Sequence, residues 1–229
     1  MKPMKELRFP VSPGDVISLS GAGGKTTLMF RLARAISGAV LVTTSTKVWE
    51  IQTRLADARC VIGDLPAELP GKVTWVTPSL IPQNGKILGC DAIDFAKLCM
   101  YAKRHHAALI YEADGSAQRH IKAPAAHEPV IFPQTTRCCY LVGLDVLGKP
   151  VTEEFVHRSE IFAELTGSAS GELIREETIL HLLEHPNGGL KGIPQTAGKT
   201  AVLVHAPEYP EAAATITNKI TQYDEVLWI

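Results

Sequence analysis

Apolar, β-branched runs alternate along this chain with stretches whose apolar residues recur at helical spacing. That alternation predicts a mainly parallel sheet covered by helices. The strand-like runs are residues 16–20, 39–43, 59–62, 73–77, 108–112, 138–142, 201–205 and 225–228. The helical stretches are residues 25–36, 92–104, 159–165, 176–184 and 210–222. Gly38 is placed to cap the first helix at its C-terminus. Two loops punctuated by Pro and Gly, 64–71 and 78–89, interrupt the pattern, and Asn84-Gly85 in the second signals a hairpin. There is no internal repeat and no low-complexity block, so the chain reads as one domain over 1–229, with a small lobe around 144–171.

Between the first strand and the first helix the chain reads Ser20, Gly21, Ala22, Gly23, Gly24, Lys25, Thr26, Thr27, Leu28. A glycine-rich turn in a strand–loop–helix setting is where a phosphate-binding loop has physical meaning. Glycines let backbone N–H groups turn inward around an anion, and the helix N-terminus adds partial positive charge. Lys25 would reach the β/γ-phosphates and Thr26 would ligate Mg²⁺. The usual GxxxxGK[ST] spacing requires a glycine where this chain has Leu19, so the loop is shortened and begins at Gly21. Shortened loops ending Gly-Lys-Thr-Thr are similar to those of ATP-using ligases of the Mur type.

Other polar clusters fall at strand ends, the ligand-facing rim of a parallel sheet. The second strand runs into Thr43, Thr44, Ser45 and Thr46, whose hydroxyls suit phosphate oxygens or a metal-bound water. The run 107–111 delivers Glu112 and Asp114, two apart and so on one face in extended chain, to fix a metal or orient an attacking water. Gly115 would let the backbone turn sharply beneath a ligand. Lys122, His127 and Glu128 lie in a proline-stiffened loop; Asp145 follows another apolar strand as a metal-directed group or a helix cap; His157 and Arg158 precede a helix, where Arg158 could clamp phosphate. His181 and His185 are four apart, but they sit in an ordinary amphipathic pattern with no third ligand placed by the sequence. His105 and His106 at a helix end complement its dipole.

Composition narrows the classes of partner. A formal net charge of −1 and a pI near 6.7 speak against a dedicated binder of nucleic acid or anionic membrane. Five cysteines without CxxC spacing fit reduced cytosolic thiols, and the Cys138-Cys139 pair reads as strand packing. The basic N-terminus lacks the apolar region of a secretory signal, and no run approaches the roughly 20 residues of a membrane span. A cytoplasmic location is expected.

The ordered set formed by the glycine loop, the threonine cluster, EADGS (112–116), IKAPAAHEPV (121–130), VGLDVLGKP (142–150) and VHR (156–158) resembles the YqeC family, from about Val16 to Arg158. The resemblance implies a P-loop NTPase-like three-layer α/β fold. It also implies an accessory role in maturing the selenium- and molybdenum-containing cofactor of a hydroxylase, with that enzyme or its cofactor as partner. By matching positions it implies phosphate binding by Gly21, Ala22, Gly23, Gly24, Lys25, Thr26 and Thr27, with Thr44 and Thr46 nearby. Lys25, Glu112 and Asp114 would be catalytic, and Thr26, Glu112 and Asp114 would hold the metal. Lys122, His127, Glu128, Asp145, His157 and Arg158 would face a second substrate. Related chains carry an Asn-Lys-x-Asp-like stretch after the late strand, where this one has His205, Ala206, Pro207 and Glu208; the change favours ATP over GTP. Three readings follow: a Mg²⁺–NTP-hydrolysing maturation factor, an ATP-dependent small-molecule kinase or Mur-like ligase, or a nucleotide-sensing scaffold without turnover.

Overall fold

The computed structural model describes residues 9–229; the N-terminal stretch that lacks a signal-like apolar region lies outside them through residue 8. In chain order the elements are β1 (Val16–Gly21), α1 (Lys25–Ala35), β2 (Val40–Thr44), β3 (Val48–Trp49), α2 (Glu50–Thr53), β4 (Ala58–Val61), β5 (Val73–Thr77), β6 (Lys86–Ile87), α3 (Ala92–Arg104), β7 (Ala108–Glu112), β8 (Ile121–Lys122), β9 (Arg137–Gly143), β10 (Val156–His157), α4 (Ser159–Thr166), α5 (Glu176–Glu184), β11 (Gly198–Val204), α6 (Pro210–Lys219) and β12 (Glu225–Trp228). All the predicted strand runs enter one eight-stranded sheet of order β12-β11-β9-β1-β7-β2-β5-β4. The pairings β12–β11, β11–β9, β7–β2, β2–β5 and β5–β4 are parallel. The chain is therefore α/β with a mainly parallel central sheet flanked by helices, as a P-loop NTPase-like fold requires.

The chain divides into two compact units, the first made of residues 9–18, Thr26–Glu112 and Phe132–Thr136. β2, β5 and β7 are buried along their whole length, which is why they read as continuous apolar runs rather than alternating ones. α1 buries Leu28, Met29, Leu32 and Ala33, and α3 buries Phe95, Leu98 and Ala102. Asp91 caps α3 by accepting from the Asp94 N–H at 2.8 Å, while Lys103 and Arg104 complement the dipole at its other end. The Phe95 ring stacks on Phe132 at 3.9 Å and meets Tyr111 edge-on at 4.7 Å.

The second unit comprises Leu19–Lys25, Ala113–Ile131 and Arg137–Ile229, and contains the stretch 144–171. Its core joins Tyr140, Val142 and Leu203 of β9 and β11 to Phe162 of α4, Leu182 and Leu183 of α5, and Ile216 of α6.

Two local expectations change. α1 ends at Ala35, and Gly38 lies three residues beyond it without the left-handed φ of a C-cap glycine. The Asn84-Gly85 turn does form, with Gln83 and Lys86 exchanging backbone hydrogen bonds of 2.8 and 3.0 Å, but β6 then pairs antiparallel with β3. The short α2 and the two-residue ladders β3–β6 and β8–β10 were not predicted. All five cysteines are free, and burial pushes the Cys90 thiol up to about 12. Among the described residues no helix is long and apolar enough to cross a membrane.

Phe95 is fully buried between two aromatic rings. Phe95→Ala should destabilise the protein by about 3–5 kcal/mol in urea unfolding; a loss below about 1 kcal/mol would mean this aromatic cluster is not a packing centre.

Candidate functional site

The glycine loop begins where β1 ends. Gly21 has φ +85°, and a Cβ there would lie 2.3 Å from the Leu141 carbonyl oxygen; Gly23 has φ +95°, and a Cβ would sit 3.0 Å from Gly143 N. Only glycine fits either position. The loop is anchored at its start: Gly21 N–H donates to Asp114 Oδ2 at 3.0 Å and Ala22 N–H to Leu141 O at 2.9 Å. Among the described residues the N–H groups of Gly23 and Gly24 have no protein acceptor. Lys25, 4% exposed, folds back so that its ammonium donates to Gly21 O at 2.6 Å and lies 3.1 Å from Asp114 Oδ1.

Asp114 is the hub of a buried ion network in the second unit. Its Oδ2 is also 3.0 Å from Lys122 Nζ, and Lys122 has no exposed side chain at all. Lys122 donates to Gly115 O and to Glu128 Oε2, both at 2.6 Å. Arg158 grips Glu128 with two parallel bonds, 2.6 Å to Oε2 and 3.0 Å to Oε1. Tyr140 donates to Lys122 O at 3.1 Å, and burial, with Asp114 nearby, pushes its hydroxyl well above the usual tyrosine range. Burial works against ionising Glu128, yet the hydrogen bonds from Arg158 and Lys122 overcome it and hold the carboxyl at about 2. Lys25, Lys122 and Arg158 thus pair with Asp114 and Glu128 in this network.

In the first unit Thr26, at the start of α1, donates its hydroxyl to Glu112 Oε1 at 2.5 Å and accepts from Gln52 Nε2 at 3.2 Å. Thr44 lies opposite Glu112 in the β2–β7 register. The Thr44 and Ser45 hydroxyls both donate to the Glu112 carbonyl oxygen, and Thr46 N–H donates to Thr44 Oγ1. Thr43 points elsewhere, donating to Val76 O at 2.6 Å. The hydroxyl cluster thus fixes the end of β7 that carries Glu112. Thr26 and Glu112 offer hard oxygen donors of the kind Mg²⁺ takes.

The remaining candidates separate. Thr27 is exposed at the helix start, and His127 is 78% exposed with Glu128 3.9 Å away. Burial, with Arg158 and Lys122 nearby, lowers the His157 imidazole. Asp145 sits in a single turn of 3₁₀-helix after β9, against His120. Gly115 does not adopt a left-handed φ; what it supplies is its carbonyl to Lys122. His181 faces Thr166 O, and His185 accepts from Asn187 N–H. Sequence reasoning did not single out Gln52, Tyr140 or His120. Gln52 sits in the four-residue α2 and Tyr140 inside an apolar strand, where neither carries a pattern; His120 lies between the EADGS and IKAP runs, and that placement was the one available signal.

Comparison with known proteins places this architecture. The profile of the family described as YqeC protein matches residues 17–160. The chain is also 31% identical over 225 residues to a protein of Escherichia coli (strain K12) described as "Uncharacterized protein YqeC", covering 93% of this chain and 86% of that one. The chain belongs to the YqeC family. No solved structure matches it.

In this YqeC-family chain the ordered KAP and HEP runs supply Lys122 and Glu128, which the fold joins to each other and to Arg158. Glu128 in the folded chain titrates near 2, below the 4.5 of an ordinary glutamate, so its contribution is complete above about pH 4.5 and is lost as pH falls toward 2. Glu128→Gln should cost on the order of 3 kcal/mol near neutrality, and the gap to the wild type should close between about pH 4.5 and pH 2. Urea unfolding across that range checks this; a gap independent of pH would contradict it.

Proposed function

We propose that this YqeC-family protein is a Mg²⁺-dependent nucleoside triphosphatase that assists maturation of a selenium- and molybdenum-containing hydroxylase cofactor. The observation that carries the reading is the loop from Gly21 to Thr26. Gly21, Gly23 and Gly24 all have left-handed φ, the Gly23 and Gly24 N–H groups lack acceptors among the described residues, and Lys25 and Thr26 follow at the helix start. Backbone donors and a helix N-terminus suit a polyanion. The Lys25 ammonium, held by Gly21 O and Asp114 at the end of the loop, supports the same ligand.

Each residue then has a role. Lys25 exchanges Gly21 O and Asp114 for β/γ-phosphate oxygens, and Asp114 holds the loop through the Gly21 N–H. Mg²⁺, when bound, neutralises phosphate charge. Thr26 can offer it a lone pair while still donating its proton to Glu112. Glu112 orients water for attack on the γ-phosphorus, and the bond to the β-phosphate oxygen breaks to release nucleoside diphosphate and phosphate. Lys122 and Arg158 act as positioning residues through Glu128. The kinase or ligase reading would need them to hold an acceptor, and full burial of Lys122 in three ionic or hydrogen-bonded contacts argues against that. ATP is favoured because His205, Ala206, Pro207 and Glu208 lack the amide and aspartate that read guanine. The accessory role rests on the resemblance carried by the EADGS, KAP and HEP runs, and the free thiols suit work in a reducing cytoplasm.

Lys25→Ala should weaken Mg²⁺–ATP binding at least tenfold by calorimetry. Glu112→Gln should keep binding but slow phosphate release about 100-fold. Phosphate release by pure Lys25→Ala protein at the wild-type rate would overturn the reading.

A further inference from the structure

The stretch after β11, which lacks a base-reading motif, brings a histidine to a second constellation. His120, Asp145 and His205 each offer one ligand atom, and those atoms lie within 4.8 Å of one another. They come from separate parts of the second unit: His120 precedes β8, Asp145 follows β9, and His205 follows β11. β9 and β11 are adjacent parallel strands with Gly143 opposite Val204, so Asp145 and His205 emerge at the same C-terminal rim.

Several independent features point to a bound cation there. Asp145 Oδ2 bonds His120 Nδ1, but Asp145 Oδ1 is buried with no hydrogen-bond partner among the described residues, a costly state for a carboxylate oxygen. The two imidazole rings stack with centroids 5.8 Å apart, and His205 is held at φ +62°, a strained backbone of the kind that collects at functional positions. Glu208 Oε2 lies 3.3 Å from His205 Nδ1, the carboxylate support common behind metal-binding histidines. Gly143 makes room for the pair: a Cβ there would lie 2.7 Å from Asp145 Oδ1 and 2.9 Å from His120 Cβ. Side-chain exposures of 46%, 31% and 43% for His120, Asp145 and His205 leave the cluster open to an ion from solvent.

We infer that His120, Asp145 and His205 form a site for a divalent first-row transition ion. Two imidazoles and one carboxylate suit Zn²⁺ and its neighbours rather than Mg²⁺, whose ligands are oxygens. Ligands about 2.0–2.2 Å from zinc sit roughly 3.3 Å apart, so modest side-chain rotations close the set around an ion that replaces the proton between His120 and Asp145. Three protein ligands leave a position open for water or an exogenous donor. The site lies beside the glycine loop, since a Cβ on Gly23 would be 3.3 Å from His120 O, yet it does not rest on the nucleotide reading.

The test uses the full-length, metal-free protein without nucleotide, titrated with Co²⁺ and then Zn²⁺. The expected result is one ion per chain, with the visible ligand-field absorption of a low-coordinate cobalt site that Zn²⁺ abolishes. His120→Ala, His205→Ala and Asp145→Asn should each weaken uptake at least about tenfold, while His181→Ala leaves it unchanged. In the wild type, Zn²⁺ should shift the imidazole resonances of two of the eight histidines, a readout that needs no variant to fold. Absence of stoichiometric uptake, imidazole resonances that stay put, or wild-type uptake in both His120→Ala and His205→Ala would overturn the inference.

Discussion

Asp114 is a carboxylate almost without water: it is 1% exposed, and its charge is met by Lys25 on one oxygen and by Lys122 and the Gly21 N–H on the other. A buried carboxylate cannot keep its charge unless it is paired and hydrogen-bonded. That requirement ties the start of the glycine loop to the segment after β7. Through Lys122 it extends to Glu128 and Arg158, and hence to the turn that opens α4. The loop's shape therefore depends on ionic groups far along the sequence as well as on its glycines.

The same arrangement gives the loop its chemistry. Lys25 is held against groups that a phosphate could replace, a carbonyl and a carboxylate, and its charge is not locked in a bidentate pair as Arg158's is. Lys122, by contrast, is shared between Asp114 and Glu128, and Glu128 is clamped by Lys122 and by both Arg158 nitrogens, so these two serve the frame. In the first unit, Thr26 and Glu112 form a separate oxygen pair whose backbone is fixed by the Thr44 and Ser45 hydroxyls. The number and direction of the bonds each group makes, rather than burial, separate groups able to change partners from groups that only hold position.

Much of the fold was legible because parallel strands buried on both faces leave continuous apolar runs, and helices such as α3 carry both a cap and a periodic face. The ladders β3–β6 and β8–β10 were not, since two residues in a ladder have no period to detect. Glu112 and Asp114 were legible as a pair, but β7 ends at Glu112, so strand alternation no longer decides where Asp114 points. Lys122, Glu128 and Arg158 were found as charges in a stiff loop and at a helix start; that they satisfy one another is a tertiary fact with no local signature. His120, Asp145 and His205 lie up to 85 residues apart and meet only because β9 and β11 are neighbours in the sheet.

The account turns on Lys25 leaving its internal partners for a polyphosphate. A crystal structure of the protein with Mg²⁺ and a non-hydrolysable ATP analogue measures that directly. The account predicts phosphate oxygens along Gly23 to Thr26, with Lys25 Nζ about 2.7–3.2 Å from a β- or γ-oxygen and no longer on Gly21 O. An empty loop at saturating analogue, with Lys25 still bonded to Gly21 O, would contradict it.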